Sequence, residues 1–111
     1  MLSDQHKPIK VLYEDDYFVV FDKPAGLLVV PTPKGELRTL VHLANVPFSS
    51  SLGGPKLHPC HRLDRETSGV IIFAKGKHYQ RVMMDIFKNR KITKKYIAFV
   101  QGSVFHDAGE I

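Results

Sequence analysis

The sequence predicts one α+β domain in which helices pack on a mixed, mainly antiparallel sheet. Short runs rich in Val, Tyr and Phe lie on both sides of one clear amphipathic helix pattern, and this order of elements is typical of α+β folds. A length of 111 residues allows no more than one domain. With 43% hydrophobic and 24% charged residues, the chain has the composition of a folded protein rather than a disordered one.

The N-terminal elements are two predicted strands. Residues 9–14 and 17–22 are short and rich in Val, Tyr and Phe, and Asp15-Asp16 between them indicates a hairpin. Pro24 ends the second strand because proline has no amide hydrogen for a sheet ladder. Residues 1–8 are polar and are interpreted as an N-terminal tail that precedes the folded part, residues 9–111.

The later elements are two helices and two strands. Residues 37–46 could hold a short helix with Thr39 as its N-cap. Residues 70–74 are apolar throughout, which predicts a central strand covered on both faces. Residues 77–89 carry an apolar stripe at helical spacing. Residues 95–101 alternate in the manner of a strand.

The overall properties of the chain exclude several protein classes. No apolar run approaches the roughly 18 residues that span a bilayer, and the polar N-terminus lacks the apolar core of a signal peptide. The single cysteine, Cys60, can form no internal disulfide. We therefore expect a cytoplasmic protein without a membrane partner. The predicted strands leave open sheet edges and the sequence stops at Ile111 without a closing element, so we expect it to be part of a longer chain.

The chain is basic, with a formal net charge of +5 and an isoelectric point near 9.4. The excess is concentrated in residues 75–95, where Asp85 is the one acidic residue. Two interpretations of this segment stay open on charge alone: a solvated helix face and loop, or a contact with nucleic acid.

Residues 58–69 are too polar for a core and too charged for an ordinary turn. Asp64 lies between Arg62 and Arg65, whose charges favour the ionised carboxylate. Such a carboxylate can act as a nucleophile, a base, a metal ligand or a simple ion-pair partner. His58, Cys60 and His61 lack a fourth ligand at a recognisable spacing, so a structural zinc site is not expected. No glycine-rich phosphate loop is present, and a nucleotide cofactor has no support.

The segment His61-Arg62-Leu63-Asp64-Arg65-Glu66-Thr67-Ser68-Gly69 resembles the signature motif of the RluA-type pseudouridine synthases. Three further blocks agree with this family in order and spacing: residues 11–16, 22–27 and 95–102. The resemblance covers residues 9–102. It implies the α+β fold of a pseudouridine synthase catalytic domain, of which this sequence would be the N-terminal portion.

The resemblance also implies a function and a set of site residues. The family isomerises uridine to pseudouridine in structured ribosomal or transfer RNA, without a cofactor or a metal, and its members are typically monomers. By this resemblance Asp64 is the nucleophile that attacks a flipped-out uridine. Arg62 fills the vacated stack or pairs with the aspartate, and Tyr96 packs on the target base. The basic residues then become candidate RNA contacts: Arg65, Arg90, Lys91, Lys94 and Lys95. Lys23 and Pro24 are interpreted as shaping the loop near the site.

The sequence departs from the family pattern at its end, because the later block with a basic residue and a His-Gln element is not found before Ile111. Three hypotheses therefore remain. The first is a pseudouridine synthase seen in part. The second is a truncated, non-catalytic RNA-binding remnant, and the third is an α+β interaction module whose motif match is accidental.

Overall fold

The structure, a computed structural model, describes residues 9–46 and 56–97. Within these ranges four strands form one antiparallel sheet in the order β1-β2-β4-β3, accompanied by two helices. The elements are β1 (Lys10–Glu14), β2 (Phe18–Lys23), α1 (Leu40–Asn45), β3 (Leu57–Pro59), β4 (Gly69–Lys75) and α2 (Lys77–Lys88). This arrangement confirms the predicted α+β class.

The N-terminal hairpin forms as predicted, because β1 pairs with β2 in antiparallel register. The carboxylate of Asp15 organises the turn by accepting hydrogen bonds from the amides of Tyr17 and Phe18, at 2.8 and 2.7 Å. An aspartate that bonds the backbone two or three residues ahead takes the place of a tight backbone turn, which is why Asp-Asp suffices here without a glycine.

One face of the sheet carries the core. In register, Val19 of β2 lies opposite Phe73 of β4, and Phe21 lies opposite Ile71. All four side chains are buried, and the rings of Phe21 and Phe73 meet edge to face with centroids 5.2 Å apart. The segment after β2 and helix α1 cover this face with buried side chains: Leu27, Val29, Leu40 and Ala44.

Helix α1 begins and ends with side-chain hydrogen bonds. The hydroxyl of Thr39 accepts the amide of His42, which confirms Thr39 as the N-cap. At the other end, the Asn45 amide group pairs with both backbone groups of Leu57, donating at 3.0 Å and accepting at 2.7 Å. Asn45 therefore ties α1 to the start of β3.

Strand β3 was missed by the sequence analysis, which treated residues 58–69 as one polar loop. Pro59, which has no amide hydrogen, lies opposite Phe73 on the sheet's edge strand. The adjacent Cys60 amide bonds the Ile72 carbonyl at 2.9 Å, so by alternation Pro59 occupies a position that needs no amide hydrogen.

Strand β4 lies between β2 and β3, as expected for a central strand. The expectation that both its faces are covered is wrong at Val70, whose side chain is 60% exposed. Helix α2 packs on the face of the sheet opposite the core, over the C-terminal half of β4, where Tyr79 contacts the ring of Phe18. It does not cover the first residues of β4.

Helix α2 confirms the predicted helix; it ends at Lys88, and Asn89 is its C-cap. Beyond Asn89 the chain turns back, because the amide of Arg90 bonds the Phe87 carbonyl and the amide of Lys91 bonds the Ile86 carbonyl, at 3.0 and 3.1 Å. This is the Schellman pattern, in which the residue after the cap adopts left-handed geometry. Arg90 holds that position with φ of +55°.

The strand predicted over residues 95–101 is wrong for residues 95–97, which have no strand structure; the remaining residues, 98–101, lie outside the described part of the chain. Lys95, Tyr96 and Ile97 are all exposed. Alternating apolar residues form a strand only where a neighbouring strand offers hydrogen bonds, and none of the described strands pairs with this segment. No helix in residues 9–46 and 56–97 is long and apolar enough to cross a membrane.

Candidate functional site

The polar segment between β3 and β4, residues 60–68, is called the Asp64 loop below. Asp64, Arg62 and Arg65 are exposed on it, while Leu63 packs against the core. The amide of Thr67 bonds the Asp64 carbonyl at 3.0 Å and closes a turn directly after the aspartate. The loop thus presents a carboxylate and two guanidinium groups to solvent from an apolar base.

A buried lysine anchors the centre of this loop. Lys23 follows Val19 and Phe21 at strand spacing, so its side chain enters the core face, and it is fully buried. Its ammonium group donates to the carbonyls of Pro24, Leu27 and Arg65, at 2.9, 2.6 and 2.9 Å. A lysine has three donors, and each one finds an acceptor here.

Gly26 supplies a second anchor at the same point. Its amide donates to the Arg65 carbonyl at 2.7 Å, so this carbonyl accepts both the Gly26 amide and the Lys23 ammonium. Gly26 has φ of +87°, a conformation that a side chain would strain. The glycine therefore lets the turn after β2 approach the backbone one residue beyond Asp64.

A histidine anchors the beginning of the loop. The Nε2 atom of His61 accepts the backbone amide hydrogen of Ile72 in β4 at 3.0 Å. The imidazole ring also packs against Phe87 of α2, with ring centroids 4.6 Å apart. His61 therefore connects the loop to both the sheet and the helix.

Burial and nearby charges set the protonation of the anchoring groups. Burial lowers the pKa of Lys23, while the carboxylates of Glu66 and Asp64 oppose this change. Burial also lowers the pKa of His61, and the positive charge of Lys94 adds to this effect. Burial raises the pKa of the Cys60 thiol to about 11, so this cysteine is a poor nucleophile at neutral pH.

The candidate RNA contacts beyond α2 are exposed, and one of them lies beside a ring that packs on the loop. The Lys94 ammonium lies 5.2 Å from the centre of the Phe87 ring, which itself contacts His61. Arg90, Lys91 and Lys95 are exposed around the end of α2. Tyr96 is 63% exposed, and among the described residues no hydrogen bond or ring contact joins it to Asp64.

Two of the anchoring residues have larger roles than their sequence pattern predicts. Lys23 was expected only to shape the loop, although its place two residues after Phe21 on the core face already indicated a buried ammonium. His61 was considered as a metal ligand. Within residues 9–46 and 56–97, no group of three or more His, Cys, Asp and Glu side chains could hold a metal ion.

An open cavity of about 420 Å³ lies beside α1, away from this loop. Its lining includes Pro31, Glu36, Thr39, His42, Asn45 and Lys56, and none of the residues of the Asp64 loop. The exposed aspartate is therefore presented on an open surface of the described structure rather than in this cavity.

Comparison with known proteins identifies the family. Residues 17–111 match the family described as RNA pseudouridylate synthase. The chain belongs to this family. The family recognised from the four sequence blocks is confirmed.

Curated relatives agree along most of the chain. An uncharacterized RNA pseudouridine synthase of Aquifex aeolicus is 40% identical over 99% of this chain and 36% of its own length. The mitochondrial tRNA pseudouridine(32) synthase of Saccharomyces cerevisiae is 40% identical over 86% of this chain and 20% of its own. The dual-specificity RNA pseudouridine synthase RluA of Vibrio cholerae is 37% identical over 93% of this chain and 40% of its own. The chain thus spans well under half of each of these relatives.

Solved structures show the same fold. Human RNA pseudouridylate synthase domain containing 4 superposes with a TM-score of 0.58 and 30% identity, over 73% of this chain and 30% of that one. Human RNA pseudouridylate synthase domain containing 1 superposes with a TM-score of 0.60 over 81% of this chain and 31% of that one. Its identity of 22% supports the fold alone.

Proposed function

We propose that the protein isomerises uridine to pseudouridine within structured ribosomal or transfer RNA, with Asp64 as the nucleophile. The observation that carries this proposal is the Asp64 loop, which exposes a carboxylate yet is anchored at its beginning by His61 and at its centre through the Arg65 carbonyl. A catalytic group is useful only when its supports are rigid, and both anchors lead to the sheet.

Because Asp64 is exposed, a nucleotide turned out of its stack could approach the carboxylate. A uridine stacked in RNA cannot meet a carboxylate until it is turned out of the stack. Attack by Asp64 on the flipped nucleotide allows the bond between C1′ and N1 of the base to break. The uracil then turns and bonds C1′ through C5, which releases the Asp64 carboxylate; the C5 hydrogen leaves as a proton, and N1 gains a proton. The product is an isomer of the substrate, so no co-reactant is consumed.

The two arginines and the basic residues after α2 suit the binding of a polyanion. Arg62, exposed two residues before Asp64, would occupy the space that the flipped base leaves. Arg65, Arg90, Lys91, Lys94 and Lys95 are all exposed and would contact phosphates, which positions RNA without reading its sequence. Tyr96 would pack on the target base; its exposure leaves the ring free for such a contact.

The test is release of label from RNA that carries tritium at C5 of uridine, measured with the full-length protein. We expect ribosomal or transfer RNA to release tritium with the wild type and not with Asp64→Asn, because an amide is no nucleophile. Asp85→Asn is the matched control, since Asp85 is exposed on α2 and its side chain makes no described contact.

Two results would contradict the proposal. Release that persists in Asp64→Asn would remove Asp64 from the chemistry. Salt-dependent RNA binding without any release by the wild type would instead favour a non-catalytic RNA-binding protein.

From the single cysteine we also propose a cytoplasmic location, and from the family resemblance we propose that the full-length protein is a monomer. Sedimentation of the purified full-length protein should give the mass of one chain, and a stable dimer would contradict this part of the proposal.

A further inference from the structure

The hydrogen bonds between β3 and β4 end in an unusual exchange. Pro59 lies opposite Phe73, so Cys60 lies opposite Ile72 at the next step. In a regular antiparallel pair of this kind the two residues exchange both amide hydrogens. Here the Cys60 amide bonds the Ile72 carbonyl, but the Ile72 amide bonds the Nε2 atom of His61 instead of a backbone carbonyl.

The histidine thus replaces the backbone acceptor that is lost where the chain leaves the sheet. At Cys60 the backbone turns away to form the Asp64 loop, and the amide of Ile72 in the central strand would lose its partner. The His61 side chain returns to β4 and accepts that hydrogen at 3.0 Å. The loop therefore departs from the sheet without an unpaired amide beneath it.

This bond defines the protonation state of His61. An imidazole nitrogen accepts a hydrogen bond only when it carries no proton, so Nε2 must be bare and Nδ1 must hold the hydrogen of the neutral ring. A protonated ring would turn an N–H toward the Ile72 N–H and break the anchor. The anchor that holds the start of the loop in its observed position therefore requires His61 to be neutral.

The ring has little freedom to find another position. The centroids of the His61 and Phe87 rings lie 4.6 Å apart, and the two ring planes are tilted by 34°. The charged group that acts on it is Lys94, from the segment that follows α2; Phe87 of α2 and Ile72 of β4 contribute no charge, and the adjacent Cys60 thiol is buried. Burial and the Lys94 charge both favour the neutral ring at pH 7.

We propose that His61 is a positioning residue for Asp64, which holds the start of the catalytic loop on β4 in its neutral form. This inference rests on the proposed function. Asp64 lies between His61 and the Arg65 carbonyl, which Lys23 and Gly26 hold. Without His61, the start of this short span keeps the Cys60 amide bond but loses its side-chain attachment to the Ile72 amide, and the carboxylate is held less firmly.

The test compares two substitutions in the full-length protein. In His61→Phe the ring that packs on Phe87 remains but the acceptor is lost. In His61→Gln the side-chain oxygen can reach the position of Nε2 and accept the same hydrogen, but it does not titrate. The readouts are kcat and KM for tritium release from pH 5 to 8.

We expect His61→Phe to lower kcat by about 100-fold, the cost of a displacement near 1 Å at a reacting group, with KM changed less than about twofold. His61→Gln should retain kcat at pH 7.5 within about fivefold. Wild-type kcat should fall as the pH decreases below 6.5, whereas this fall should be weaker in His61→Gln because its acceptor does not titrate. A purely structural role would alter stability without changing the pH profile.

A second readout does not depend on activity. Hydrogen–deuterium exchange of the peptide that contains Ile72 should be at least about tenfold faster in His61→Phe than in the wild type and near wild type in His61→Gln. Equal protection in all three proteins would overturn the anchor itself.

The outcomes separate the two proposals. An active wild type together with a His61→Phe kcat within twofold of it would overturn the positioning role while leaving the proposed function intact. If His61→Phe does not fold, an unchanged acid limb in His61→Gln would overturn it. No release by the wild type on any RNA would overturn the proposed function and the role that rests on it, and exchange at Ile72 would still report the anchor.

Discussion

Lys23 shows how one residue can connect the core to the Asp64 loop. Its stem continues the apolar face of β2, while its ammonium holds the carbonyls of Pro24, Leu27 and Arg65. A buried charge is costly unless it is fully hydrogen-bonded, and this one has a partner for each donor. The arrangement fixes the backbone directly after Asp64 to the end of a strand.

Replacing Lys23 by methionine tests this connection. Lys23→Met keeps an unbranched apolar side chain but leaves those three carbonyls without the ammonium, and we expect the free energy of unfolding to fall by about 3 kcal/mol. Urea denaturation of the full-length protein measures the change. Lys34→Met, at an exposed lysine, should stay within about 0.5 kcal/mol of the wild type. Equal stability of both variants would show that the buried ammonium contributes nothing.

Among the secondary-structure elements, α2 is followed, directly after its C-cap, by a residue that is unfavourable for the backbone conformation there. The position after the cap has φ of +55°, where glycine is preferred, and it holds Arg90. A side chain in this region raises the energy of the folded backbone. If the exposed guanidinium of Arg90 binds RNA, this contact would explain why an arginine rather than a glycine occupies this position.

Arg90→Gly separates these two effects. We expect the substitution to raise the free energy of unfolding by about 0.5 kcal/mol, because it relieves the left-handed backbone, and to weaken RNA binding. The slope of log K against log salt concentration should decrease by about 1 if one phosphate contact is lost.

Arg90→Lys is the control, since it keeps both the charge and the backbone strain and should resemble the wild type in stability and in salt dependence. An unchanged slope in Arg90→Gly would mean that Arg90 makes no phosphate contact.

At the scale of the whole molecule, several groups make stability depend on pH in the same direction. Burial lowers the pKa of His61 and of His58 below the ordinary 6.5, with nearby lysines adding to the effect. Hydrogen bonds from Tyr17 and Phe18 lower the pKa of Asp15, and hydrogen bonds from Thr32 lower that of Glu36. In each case the unfolded chain binds protons more readily than the folded chain, so acid favours unfolding.

We therefore expect the free energy of unfolding to fall as the pH decreases, in two steps. The histidine contribution is complete above pH 6.5 and is lost below it, and the carboxylate contribution is lost as the pH falls below about 4.5. Urea denaturation at pH 7.5, 6.5, 5.5, 4.5 and 3.5 measures both steps. His61→Gln should reduce the first step and leave the second unchanged. Constant stability between pH 7.5 and 5.5 would contradict the neutral, buried state of His61.

Several local elements and the family could be predicted without the structure. Helical spacing predicted α2, Thr39 predicted the cap of α1, and Asp15-Asp16 predicted the hairpin, because each signal depends on residues close together in the chain. Four blocks in register identified the pseudouridine synthase family, which the comparisons confirm. Asp64 as nucleophile remains a prediction from that resemblance.

The residues that hold the Asp64 loop could be identified only from contacts between distant parts of the chain. Lys23 reaches Arg65 across 42 positions of the chain, and His61 bonds Ile72 across 11, so no local pattern could pair them. The same reason explains the errors. Pro59 is accepted in β3 because its partner strand requires no amide there, and residues 95–97 form no strand because none of the described strands pairs with them. Hydrogen bonds in a sheet join distant segments, and the strength of a local pattern does not specify the neighbour that it needs.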